Sequence, residues 1–396
     1  MRSTGEPIDG VASSSRVSRR AFLAGAAACA AVGPSLLRAA ACEPRQQAVL
    51  HLATREASDN AHVHTFALTA DGCTFLGSSS VDSLATMSAH PALPVLYVAR
   101  DCHQWEGLPR GVIESYSVEC GLRPLRLLAR SPMALSATGP RSLAVSLCGR
   151  HLLVAASTGG AWNAFALRGG LPEPVAIARK ETGSILNAQT TALPTPHGLI
   201  FSPQGSFAAA TDPGNGRMTL LQPLSDGIAV LARCQTPRGG TATNPVWASD
   251  GKYVIVANAQ SLSLSVYEVR AASADGSDAS IHWLNAVPTA TPVTTLLAHP
   301  AEPAVFTLRP QAGGSRLELW HLHGSRLQVA SDTWVSGHGV ALAQHGGGLW
   351  VATKHRLTRL PIGDLRSSCP FEMALPMPGP QAMVTQTLAA PLEMPI

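Results

Sequence analysis

The stretch "NPVWASDGKYVIVANAQ", residues 244–260, decides the fold. An apolar run leads into it, "SDGK" turns the chain, and "YVIVAN" carries it back, so the spacing predicts a β-hairpin. Its two open ends finish in small, chemically inert residues, Thr243 before it and Ala259 after it.

The same unit recurs along the chain. It reads as a short apolar strand, a turn around Pro or Gly, and a second apolar strand. It appears in "LATMSAHPALPVLYVARD", "PRSLAVSLCGRHLLVAAS", "PHGLIFSPQGSFAAATDP", "PVTTLLAHPAEPAVFTLR" and "GHGVALAQHGGGLWVATK". The repeats fall roughly 45–57 residues apart, the period of propeller blades. Further strands follow them, such as "SLSVYEV" and "RLELWHL", and helical periodicity is nearly absent. "AVLHLA" and "HVHTFAL" supply strands of a seventh unit. The reading is an all-β chain forming one seven-bladed β-propeller of four-stranded antiparallel blades. The stretch "RAASADGSDASIHW" reads as a surface loop between strands, and the Trp residues as core or inter-blade packing.

Bulk properties fit this reading. The chain has 396 residues, 45% hydrophobic and 14% charged, with a net charge of +4. That composition can bury a large core. The arginines are scattered, without the basic stripe and interleaved aromatics of a nucleic-acid binder. In "SRRAFLAGAAACAAVG", Arg19 and Arg20 precede a short alanine-rich run, flanked by Ser18, Phe22 and Leu23. The run is too short for a membrane span and predicts a twin-arginine export signal over residues 1–41. Ala39 and Ala41 offer a cleavage site, with lipid attachment at Cys42 as the alternative. The propeller is then expected over 42–369, and 370–396 is either a Pro-rich tail or a late ring-closing strand. The cysteines after the signal show no C-x-x-C pair and read mostly as small buried hydrophobes. No metal-ligand spacing or cofactor motif is present.

In an antiparallel hairpin the start of the first strand and the end of the second share one edge. If the recurring pairs are the inner strands of their blades, that edge forms one rim of the central channel. The starting positions are Ala85, Arg141, His197, Thr243, Val293 and His338. The ending positions are Asp101, Ser157, Pro213, Ala259, Arg309 and Lys354. Converging cations on such a rim suit an anionic small molecule.

The repeats resemble the seven-bladed propeller lactonases, a family that includes 6-phosphogluconolactonases and carboxymuconate lactonizing enzymes. The resemblance is carried by "TPHGLIFSPQGSFAAATDPGNGRM" (195–218), "TPRGGTATNPVWASDGKYVIVANA" (236–259) and "AVFTLRPQAGGSRLELW" (304–320). It runs from about Ala48 to about Ile362. It implies a site built from a histidine, two arginines and a glutamate. His197 matches the histidine and Arg309 one arginine. The other arginine falls on Thr243, with Asn244 beside it, and the glutamate falls on Ala259. Arg217 matches a further arginine whose aspartate neighbour is here Gly216. The opening hairpin thus keeps the fold signature and lacks the family's chemistry.

The resemblance implies an exported lactonase-like hydrolase acting on a sugar lactone or a carboxylated ring lactone. Its catalytic residues would be His197, Arg217 and Arg309, with Arg141, Asp101, Lys354 and His338 binding substrate. His197 or Asp101 would stand in for the missing base. The alternative is a non-catalytic propeller that binds an anionic small molecule or a protein partner. Other motifs read structurally. "HGGG" at 345–348 is a turn without a G-x-S-x-G partner, "DPGNG" from Asp212 is a turn, and the pairs His62/His64 and His321/His323 are outer-face histidines.

Overall fold

The structure is a computed structural model that describes residues 47–55, 60–119, 123–181, 184–187, 190–237, 242–271, 278–363, 365, 371–375 and 379–388. The export-signal reading, Cys42, Cys120 and Cys369 lie outside the described residues.

Among the described residues every regular element is a strand, and seven antiparallel blades form. From the channel outward, blade two holds Leu84–Ala89, Val95–Arg100, Val112–Val118 and Leu125–Pro132. Blade three holds Pro140–Val145, His151–Ala156 and Ala161–Arg168, with Leu171–Pro172 and Ile177–Lys180 both pairing the third strand. Blade four holds Leu199–Phe201, Ala208–Asp212, Arg217–Pro223 and Ile228–Gln235. Blade five holds Ala242–Trp247, Tyr253–Asn258, Ser263–Arg270 and Ser280–Pro288. Blade six holds Thr295–Ala298, Ala304–Gln311, Gly314–His323 and Arg326–Ser336. Blade seven holds Gly339–His345, Gly348–Thr353, Arg356–Pro361 and Phe371–Ala374. Blade one takes its innermost strand, Pro380–Leu388, from near the C-terminus and pairs it with Gln47–Arg55. Asn60–Leu68 and Cys73–Asp82 complete that blade. The innermost strands touch in sequence around the ring.

The opening hairpin forms as its residues dictate. Val246 pairs with Ile255, Gly251 adopts a positive φ of 67° in the turn, and the Lys252 amide donates to Asp250 at 2.9 Å. The "HGGG" turn likewise joins His345 to Gly348, with Gly346 and Gly347 at positive φ. Alternation along the strands points apolar side chains at both neighbouring blades. Seven apolar clusters result, each at the junction of two adjacent blades. Trp162, Trp247, Trp320 and Trp350 are buried there, but Trp283 and Trp334 are exposed on outermost strands. Trp105 sits in a loop, and the guanidinium groups of Arg100 and Arg130 each lie over its ring, at 5.7 and 5.6 Å from the centroid. The stretch read as a loop before Trp283 gives way at Ser280 to the outer strand of blade five.

Each blade also buries one polar residue at an equivalent place on its third strand. These are His64, Glu114, Asn163, Thr219, Ser265, Glu318 and Thr358, each opposite the middle of the second strand. In four blades the group that meets it stands two residues further along that second strand. Thr54 meets His64 at 3.0 Å, Arg100 meets Glu114 at 3.3 Å, Asn258 meets Ser265 at 2.8 Å, and Arg309 meets Glu318. His64 is therefore interior and not an outer-face histidine. Cys148 is exposed, while Cys73, Cys102 and Cys234 are partly buried.

Candidate active site

The rim is shaped by a recurring irregularity. The inner strand pairs of blades two, three, five and seven each carry a β-bulge where the inner strand starts. A bulge inserts an unpaired residue and re-aims its side chain. Arg141 is such a residue, skipped between the pairs Pro140/Ala156 and Ser142/Ala155, and Thr243 lies in the bulge of blade five. Arg141 is exposed, and its Nε donates to Ser157 Oγ at 3.3 Å.

His197 stands just before the inner strand of blade four. Its amide donates to the Thr211 carbonyl at 2.9 Å. The next residue must be glycine, because a Cβ at Gly198 would collide with the Thr243 carbonyl oxygen and the Pro245 ring. That close approach lets Thr211 Oγ1 accept from the Gly198 amide at 2.8 Å and donate to the Thr243 carbonyl at 2.5 Å. The imidazole is half-buried, and its Nδ1 is buried with no hydrogen-bond partner. Burial lowers its pKa, the positive charge of Arg141 lowers it further, and the Thr243 backbone acts in the opposite direction. At neutral pH the ring is uncharged and able to accept a proton. Arg141, His197 and Thr243 thus occupy one sector, on three successive blades.

The other residues read from the sequence lie elsewhere. His338 and Lys354 are exposed on blade seven, joined by the Lys354 amide donating to the His338 carbonyl at 3.1 Å. Asp101 is exposed on blade two, its amide donating to the Ser83 carbonyl at 2.6 Å. Arg217 opens the third strand of blade four, two strands out from the channel, with Nε 3.2 Å from the Gln235 amide oxygen. Ala259 and Asn244 are exposed, and Thr243 donates to the Ala257 carbonyl at 3.3 Å.

Arg309 differs from the rest of the rim set. It is 6% exposed, and its guanidinium is bidentate on the 4%-exposed Glu318 through Nε at 2.9 Å and a second nitrogen. Its remaining nitrogen donates to Thr291 at 3.3 Å. Glu318 also accepts from Thr307 at 3.2 Å and from Trp320 at 3.1 Å. The register explains this. Arg309 is the counterpart of Arg100, one residue short of the rim position, which in blade six belongs to Pro310. One residue along a strand changes the face.

Two residues escaped the sequence reading. Glu318 is one. The other is Arg55, which ends the second strand of blade one in the position held elsewhere by Asp101, Ser157, Pro213, Ala259 and Lys354. Carrying the rim register into "AVLHLATRE" would have found it.

Among the described residues no cluster of His, Cys, Asp and Glu is arranged to hold a metal ion. Asp212, within "DPGNG", accepts from the amides of Thr195 at 2.8 Å and Asn215 at 3.1 Å, so its carboxylate caps the turn. Burial raises its pKa and those bonds oppose the rise.

The sequence profile of the seven-bladed β-propeller lactonases matches residues 50–292. The chain belongs to this lactonase family. Among curated proteins none matches the sequence. Solved structures do match the lactonase fold. A candidate 6-phosphogluconolactonase from Bacteroides fragilis superposes with a TM-score of 0.67 at 14% identity, covering 86% of this chain and 98% of that one. A second, from Bacteroides uniformis, gives 0.68 at 15% identity, covering 86% and 99%. The periplasmic gluconolactonase of Pseudomonas aeruginosa gives 0.64 at 18% identity, again covering 86% and 99%. At such identities the likeness is one of fold.

Proposed function

We propose that this lactonase-family propeller is an exported hydrolase of a sugar lactone or a carboxylated ring lactone, with its chemistry at His197 and Arg141. The observation that carries this reading is the half-buried, neutral imidazole of His197 within electrostatic reach of Arg141, which makes no ion pair among the described residues. In the step proposed, His197 takes a proton from water as the water oxygen attacks the lactone carbonyl carbon. Negative charge gathers on the carbonyl oxygen, where Arg141 stabilises it. The ring acyl C–O bond then breaks, the leaving alkoxide recovers the proton from the imidazolium, and the product is a hydroxy acid whose carboxyl then loses water's second proton to solvent. Lys354, His338 and Asp101 serve as outlying substrate contacts, and Arg217 supports blade four behind His197. Arg309, neutralised by Glu318, is left out of the catalytic set.

Export is part of the proposal. It rests on Arg19 and Arg20 ahead of the alanine-rich run, and the Pseudomonas aeruginosa neighbour is itself a periplasmic protein. Replacing both arginines with lysine should leave the protein in the cytoplasmic fraction.

The test of the chemistry is hydrolysis of glucono-1,5-lactone by the purified mature protein against buffer. His197→Ala should remove about 10²–10⁴-fold of the excess rate. Activity equal to buffer across neutral and carboxylated lactones would leave the binding alternative, which the absence of a carboxylate at Ala259 favours.

A further inference from the structure

The central channel has a second mouth. The inner strands begin at the rim that carries Arg141 and His197 and run to turns on the opposite face. A cavity of about 620 Å³ lies at those turns. Ser88, Val145, Ile200, Trp247, Ala298 and Gln344 line it, one from each of blades two to seven, so it sits on the axis of the ring. Leu143 and Leu147 add apolar surface from blade three. Leu147 is 59% exposed at the mouth, yet it leans on the neighbouring turn, where a Cβ at Gly205 would lie 3.3 Å from its own Cβ.

The cavity carries no charge. Among the described residues that line it there is no Asp, Glu, Lys or Arg. Its one titratable group is His299, whose Nδ1 accepts from the amides of Ala301 at 3.3 Å and Glu302 at 2.9 Å. A nitrogen that accepts holds no proton, so the ring is neutral, and burial lowers its pKa in the same sense. Two other cavities differ. One, between blades four and five, is lined by Asp250, Lys252, Glu268 and Arg270, and another, between blades one and two, by Asp82, Glu114, Arg123 and Arg130. The rim mouth is charged as well, through Arg141, Asp101 and Lys354.

We propose that the mouth opposite the rim is a binding site for an uncharged, largely apolar small molecule. Its volume falls in the range of small-molecule sites, about 300–1,000 Å³. The charge of the lining selects the ligand. An ion entering here would leave water and meet no countercharge, whereas an apolar molecule releases water from Leu143, Val145, Leu147 and Ile200. The Ser88 and Ser249 hydroxyls suit one polar group on such a ligand. The site is independent of the hydrolase reading.

The test is titration of the full chain with N-phenyl-1-naphthylamine, an uncharged probe that fluoresces in apolar surroundings. Binding should saturate near one probe per chain. 2-Naphthol, uncharged at neutral pH, should displace the probe with an affinity at least about 10-fold higher than that of 2-naphthoate, the same ring bearing a carboxylate. Val145→Glu puts a charge on the lining and should weaken the probe roughly 10-fold or more. Leu147→Asp, at an exposed position, should weaken it about 3- to 10-fold without touching the fold. Val175→Ser removes a still more exposed apolar side chain outside the cavity and should change binding by less than about 2-fold. If Val145→Glu fails to fold, Leu147→Asp decides. Probe binding that does not saturate, equal displacement by the two naphthalenes, or wild-type affinity in Leu147→Asp would overturn the site. A probe-to-chain ratio that falls as protein concentration rises would give the mouth to a second copy of the chain. Tighter probe binding on Leu392→Asp would give it to residues 389–396. Either result overturns the proposal. No readout here involves lactone hydrolysis, so the hydrolase reading stands or falls separately.

Discussion

Arg141 and Arg309 read alike in the sequence, as cations at the channel rim, yet their surroundings are opposite. Arg141 occupies a bulge, faces solvent and among the described residues has only the Ser157 hydroxyl as side-chain partner. Arg309 lies in a regular ladder, is buried, and is gripped by a carboxylate that also holds Thr307 and Trp320. The bulge frees a side chain for a ligand, whereas the ladder one residue earlier commits it to the blade interior. A cation's use is set by its place in the pairing more than by its identity.

The sharpest way to break this contrast is to remove the carboxylate from blade six. Glu318→Ala leaves the Arg309 charge buried and unpaired, and urea denaturation should show a loss of about 3–5 kcal/mol. Pairing it with Arg309→Met should recover much of that loss, because no buried charge remains. A result within 0.5 kcal/mol for the single variant would mean that Arg309 reaches solvent and belongs to the rim after all.

Acid tests the same principle on the interior histidines of blade one. Burial lowers His51 to about 4, against the pull of the Gln386 side chain, and burial followed by the His62 charge lowers His64 to about 4. The native rings bind protons less readily than the unfolded chain does. Stability is therefore complete above about pH 6.5, falls as the pH drops towards 4, and levels off below it. Each ring contributes on the order of 3 kcal/mol across that window. Denaturation midpoints measured from pH 7 to 4 should show the slope, and His51→Gln should flatten it. A flat profile in the wild type would contradict the burial of these rings.

On the rim the effects on stability should be small. Arg141→Gln should move the unfolding free energy by no more than about 0.5 kcal/mol while weakening gluconate binding roughly 10-fold. Ala259→Glu, at an exposed position, should be equally neutral to folding and should raise lactone hydrolysis by supplying the carboxylate that blade five lacks. A destabilised Ala259→Glu would place that position inside the blade.

The propeller was legible because its signal is periodic. Each unit repeats the alternation and the turn, so an error in one is outvoted by the others. The site was legible only where the register was anchored. His197 follows directly from its glycine neighbour and the "FSPQG" turn. Arg309 was misplaced by one residue because "AVFTLR" lines up whole with "YVIVAN", which puts Arg309 at the place of Asn258 and leaves the rim to Pro310. Arg55 was missed because the inner partner of its strand lies more than three hundred residues away in the chain, so blade one shows no inner hairpin from which to carry the rim register. Glu318 and His64 show the same limit. A polar residue in the middle of an apolar strand does not announce whether it faces water or a buried partner.

The pairing of Pro380–Leu388 with Gln47–Arg55 has a consequence for how the chain is made. On the ribosome the first blade emerges with its inner edge bare, and its partner follows more than three hundred residues later. Until then Gln47–Arg55 offers unsatisfied amides and carbonyls to any passing strand. Folding must also wait for a contact between segments more than three hundred residues apart, a slow kind to form. Completion is thus a late, all-or-none event. A chain stopped before residue 380 would keep most of its blades and yet expose a sticky seam, so premature termination should yield aggregates rather than a weaker protein.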